Sequence, residues 1–168
     1  NEDNFNDIDF QIDTVNLMPG SNFTFSLYGE NWKSIPINPF PLDSNTVFQV
    51  FSKVDSISSI QGIGFSDGEK NIKYSFFGNE QLDIEEWIPV YQGQNNLGEW
   101  HSYELPIGND WLAWHDSLSN LLDILFINSS NSLPSTGNIF FSLVRDITND
   151  LNIPPSVSIE YEADIQSR

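Results

Sequence analysis

The chain has 168 residues, with 24 Asp and Glu against six Lys and Arg, a net charge of −18 at pH 7 and no cysteine. That charge repels phosphate backbones and anionic lipid and so excludes nucleic acid as a partner, while the missing thiols exclude disulfides, zinc–thiolate sites and cysteine nucleophiles. No stretch approaches eighteen consecutive apolar residues, so nothing reads as a bilayer-spanning helix. Length alone suits one domain around one core. Aromatics are 14% of residues, thirteen of them Phe, in short apolar segments broken by Gly, Pro, Asn and Ser; this favours an all-β chain.

The start, "NEDNFNDIDF", lacks the basic and apolar regions of a signal peptide, so the chain is expected to be cytosolic or a mature or excised piece. "IDFQID" reads as a first strand. "FTFSLYG" sets Phe23, Phe25 and Leu27 on one face and Thr24, Ser26 and Tyr28 on the other, the period of a half-buried strand. "TVFQVFSKV" (46–54) and "SIQGIGFS" (59–66) follow, with Gly62 and Gly64 predicting a bulge or close backbone approach. The turn residues Asp67-Gly68 and the alternation of Ile72, Tyr74 and Phe76 make residues 60–77 a hairpin. "WHSYEL" (100–105), "LLDILFI" (121–127) and "NIFFSLVRDI" (138–147) complete a set whose number and spacing predict a sandwich. One short helix is expected in "NDWLAWHDSL", capped by Asn109 and Asp110, with Trp111, Trp114, His115 and Leu118 on a core-facing stripe. Asn22-Phe-Thr24 and Asn128-Ser-Ser130 match the N-glycosylation pattern, which has meaning only in a eukaryotic secretory pathway; chance matches are expected in so Asn-rich a chain.

"GEWHSYELPI", "LLDILFINSS" and "GNIFFSLVRDI" together resemble the second half of carbohydrate-binding-module jelly rolls of the galactose-binding-domain type, and "TVFQVFSKV", "GIGFSDG" and "IKYSFF" are similar to the first half. The resemblance covers roughly residues 23–147. It implies a jelly-roll β-sandwich of two antiparallel sheets, over residues 1–150, acting in glycan recognition on a secreted or cell-surface protein. It also implies a structural calcium with an acid in the closing strand, where this chain has Ser142. Asp7, Asp9, Asp13 and Asp146 are the hard oxygen ligands that a calcium ion could draw on instead. "IPPSVSIEYEA" looks like the opening strand of an immunoglobulin-like or PKD-like repeat, so residues 151–168 are expected to be a linker or the first strand of a following domain in an exported bacterial multidomain protein.

Four of the five tryptophans fall in the 29 residues from Glu86 to Trp114. Trp87 and Tyr91 lie in an irregular stretch followed by Gln92, Gln94, Asn95 and Asn96. A sugar offers an apolar C–H face and a hydroxyl rim, and this segment supplies aromatic plates and two-way amides to match. Alternatively, Trp87 anchors a long connection. Trp100 shares a strand face with Ser102 and Glu104, either as an exposed ring among hydrogen-bonding groups or as sandwich-edge packing. Trp111 and Trp114 are expected in the core, and His115 in a packing or capping contact rather than a metal site, since His101 is the only other histidine and nothing fixes their separation. Glu85 and Glu86 are adjacent and cannot flank a scissile bond, pairs such as Asp110 with Asp116 or Glu99 with Glu104 are unremarkable among 24 acids, and no nucleophile-elbow, nucleotide-loop or zinc-protease motif occurs. The expectation is therefore a non-catalytic glycan-binding module, with a structural or adhesive domain contacting other proteins as the alternative.

Overall fold

The computed structural model describes residues 10–78, 87–89, 95–129 and 137–150. In chain order the elements are β1 (Phe10–Asp13), β2 (Thr24–Tyr28), β3 (Asn31–Pro41), β4 (Phe48–Ser56), β5 (Ile60–Ser66), β6 (Asn71–Phe77), β7 (Trp87–Pro89), β8 (His101–Leu105), α1 (Ile107–His115), β9 (Asn120–Ser129) and β10 (Asn138–Asp146). They form two five-stranded sheets, ordered β1-β2-β10-β4-β8 and β3-β9-β5-β6-β7. Without β1 and β7, the orders 2-10-4-8 and 3-9-5-6 are those of a jelly roll: the chain passes from sheet to sheet at every connection except the β5–β6 hairpin. The all-β sandwich with one short helix therefore stands. One pair departs from the expected antiparallel pattern, because β7 runs parallel to β6 at the edge of the second sheet.

The alternating strands do what their patterns dictate. Leu27, Val50, Val54, Ile63, Phe65, Ile72, Tyr74, Tyr103, Leu105, Ile139 and Phe141 fill the space between the sheets and are all essentially inaccessible. Phe76 of one sheet stacks on Tyr103 of the other with ring centroids 4.0 Å apart and planes 2° from parallel. The predicted hairpin is present, with a register shift between Gln61 and Gly62. A Cβ on Gly62 would lie 1.9 Å from the Tyr74 carbonyl oxygen, so only glycine permits this approach. β3 was not expected: its 11 residues contain Pro36 and Pro39, and proline within a run argues against a strand. The prolines are tolerated because β3 is an edge strand paired only with β9, and its register breaks between Pro36 and Phe40. Phe23, assigned to the buried face of its strand, precedes β2 and is exposed.

The two ends of the sandwich are closed differently. At one end α1 begins two residues earlier than its capping signals, with Pro106 at the N-cap and no side-chain cap. Gly108 makes the docking possible, since its amide donates to the Thr46 carbonyl and a Cβ there would lie 1.8 Å from the Asp43 carbonyl oxygen. Trp111 plugs the core at 0% exposure, whereas Trp114 and Leu118, placed on the same inward stripe by the sequence, are 44% and 41% exposed. The buried residues of α1 are Ile107, Gly108 and Trp111, none past its midpoint, so Trp114 in the last turn lies past the covered part. Leu118 follows the helix, which ends at His115 with Asp116 in the left-handed conformation. At the other end the Gln61 Nε2 donates to Asn128 Oδ1 (2.7 Å), and Asn128 Nδ2 donates to the carbonyls of Gly29 and Gly137. Asn128 is thus a fully buried structural amide, inaccessible as a glycosylation acceptor in the folded chain, while Asn22 is exposed.

Candidate functional site

The outer face of the β3-β9-β5-β6-β7 sheet carries two tryptophans that the chain separates by more than fifty residues. Register places Trp32, Ile127, Gly62 and Ser75 along one rung, and Ser34, Leu125, Gly64, Lys73 and Trp87 along the next. Trp32 and Trp87 stand on opposite edge strands, four strand spacings or roughly 19 Å apart along a flat sheet, yet their ring centroids are 6.0 Å apart at 87°. The indoles therefore reach inward over the face from both edges. Gly62 and Gly64, on the central strand, have no side chain to obstruct them. Ile60, Ile127 and Leu125 pack with the rings as a small apolar cluster outside the main core. The Lys73 Nζ lies 5.8 Å and 5.7 Å from the two ring centroids, in range of a cation–π interaction with each.

The next rung is polar: Pro36, Asp123, Ser66 and Asn71. Asp123 Oδ1 accepts from the Ser34 hydroxyl at 3.2 Å, and the Ser66 hydroxyl accepts from the Gly68 amide at 2.9 Å. The side-chain oxygen of Asn71 is buried and has no hydrogen-bond partner. A partly exposed indole thus shares this sheet face with a mixed polar row two rungs further along the strands.

The structure distributes the sequence-predicted site residues differently. Trp87 is 6% exposed and serves as the buried brace of Trp32, not as an open plate; the sequence pattern gave no sign that a distant edge strand would cover it. Tyr91, Gln92 and Gln94 lie outside the described residues. Asn95 Nδ2 donates to the Tyr103 hydroxyl (2.9 Å) and Asn96 Nδ2 to Glu99 (3.2 Å), so both amides are committed to holding the turn before β8. Trp100 precedes β8 and is half-buried. Trp32, which completes the outer-face cluster, was missed because "NWKSIPINPF" reads as broken by proline; the alternation of Trp32, Ser34 and Pro36 was the available signal.

Of the proposed metal ligands, the two described residues, Asp13 and Asp146, lie apart. Asp7 and Asp9 lie outside the described residues. Asp13 accepts from the amides of Val15 and Asn16 and from the Asn16 side chain, and these donors hold its carboxyl below the usual carboxylate range. Asp146 is exposed and accepts from the backbone and hydroxyl of Thr148. Ile12, Phe25 and Phe141 lie in one row, so Asp13 and Asp146 are two strands and four residues apart, about 10 Å across and roughly 13 Å along. Lys53, not another acid, approaches the Asp13 turn, with its Nζ 3.5 Å from Asn16 Oδ1 and 3.2 Å from Asp55. Among the described residues no three His, Asp or Glu side chains are placed to hold a metal ion.

Of the acid pairs, Asp110 is the most perturbed. Its half-buried carboxyl is raised above the usual range by burial, against the opposing hydrogen bonds from Tyr74 (2.7 Å) and Asn109. Burial, the adjacent Asp110 charge and that hydrogen bond also raise the Tyr74 hydroxyl. Their bond fastens α1 to β6. The chain matches no protein-family model, and no curated protein is significantly similar to it.

Proposed function

We propose that this jelly roll is a non-catalytic carbohydrate-binding module of an exported protein, acting at the cell surface or beyond it, with the outer face of the β3-β9-β5-β6-β7 sheet as its binding surface. The supporting observation is the partly open Trp32 ring, held edge-on by Trp87 and sharing its sheet face with the polar rung of Asp123 and Ser66 two rungs along the strands. An indole stacks on the C–H face of a pyranose, while neighbouring polar groups take its hydroxyls. Residues 151–168, a linker or the first strand of a following domain on this reading, would tether the module to its neighbours.

Affinity electrophoresis in polysaccharide-containing gels tests the proposal. Trp32→Ala should weaken about tenfold a retention that wild type shows, with the melting temperature measured in parallel; retention unchanged in a folded Trp32→Ala protein would sink it. A second reading, a structural or adhesive domain that contacts proteins, draws on a different surface: Leu112 and Trp114 on the outer side of α1, 38% and 44% exposed, and Leu118 just beyond it. Under that reading Trp114→Ala, not Trp32→Ala, removes binding.

A further inference from the structure

Resting on the glycan-binding reading, we infer that the Trp32 surface takes uncharged, hydroxyl-rich polysaccharide chains and rejects polyuronates and sulfated glycans. The donor and acceptor balance of the face carries this. Asp123 can only accept hydrogen bonds when ionised, and one of its oxygens is engaged by Ser34. This carboxylate calls for donors from a ligand. A hexose hydroxyl supplies a donor; a carboxylate or sulfate supplies only further acceptors and would leave Asp123 facing like charge.

The charge around the rings points the same way. Glu30 stands two residues before Trp32 in the chain. Lys73 is the cation at the centre of the described face, and its ammonium is engaged by the two indoles. Beyond the site the whole chain adds a field of net charge −18, which lowers the local concentration of any polyanion.

The test is a panel run on the complete chain at low and high salt: neutral glucans, mannans and xylans; polygalacturonate, alginate and heparin; and chitosan as a polycation. The expected result is retention by at least one neutral polymer, insensitive to salt, weakened about tenfold in Trp32→Ala and also weakened in Asp123→Asn, which keeps the shape but removes the charged acceptor. Retention by a polyanion that depends on Trp32 would overturn the inference while leaving glycan binding intact. Retention by chitosan alone, lost at high salt and indifferent to Trp32, would also overturn it, as a general attraction to an acidic protein. If no polymer of any charge is retained, the glycan-binding reading fails and takes this inference with it.

Discussion

At the scale of single residues, the five tryptophans divide by what covers them. Trp111 is fully enclosed where α1 meets the core, so Trp111→Ala should cost about 3–5 kcal/mol, as for other large buried aromatics. Trp87→Ala removes the ring that braces Trp32 and covers Ile127 and Ile60, and about 3 kcal/mol is expected because this cluster is smaller than the main core. Trp114→Ala, at an exposed position, should change stability by no more than about 0.5 kcal/mol. Urea unfolding of the three variants checks the order. Sequence periodicity correctly placed Trp111 in the core, but it put Trp114 there too and left Trp87 open. The residue pattern identifies a face of an element, and the partner that covers that face lies elsewhere in the chain.

At the scale of elements, the attachment of α1 to β6 carries a pH dependence of unusual sign. Because burial raises the Asp110 carboxyl above its ordinary value of 3.8, the folded state holds this proton more tightly than the unfolded state. Its contribution to stability is therefore complete below pH 3.8 and declines as pH rises through the elevated folded value. Asp110→Asn, which keeps an acceptor for the Tyr74 hydroxyl, should raise the melting temperature at pH 7, with the gain vanishing in acid. Asp13 and Asp67 act in the opposite sense. Asp13 is lowered by hydrogen bonds from Asn16 and Val15; for Asp67, burial raises the carboxyl but is overcome by the amides of Lys70 and Glu69. Their stabilisation is present above 3.8 and is lost as pH falls through their depressed values. Melting curves of wild type, Asp13→Asn and Asp110→Asn across the acid range separate the two signs. The bulge in β6 opposite Gly62 makes a backbone prediction: Gly62→Ala, which sets a Cβ against the Tyr74 carbonyl, should prevent folding or cost more than the roughly 1 kcal/mol typical of single substitutions.

At the scale of the whole molecule, the net charge of −18 opposes compaction by self-repulsion. Added sodium chloride should therefore raise the melting temperature through the range in which the Debye length shrinks to about 8 Å; a flat or falling response would show that local ion pairs outweigh the global field. The sequence by itself determined the all-β class, most of the strands, the β5–β6 hairpin and the single short helix, because alternation, turn residues and glycine act within a few residues of one another. It did not disclose β3, whose prolines are acceptable only at a sheet edge, nor the pairing of β7 alongside β6. Only the tertiary structure decided that Trp32 and Trp87, from opposite edges of one sheet, meet above the two glycines of the strand between them. Local patterns record which way a side chain points; burial depends on a second segment folding over it, and that contact is formed by the sandwich as a whole.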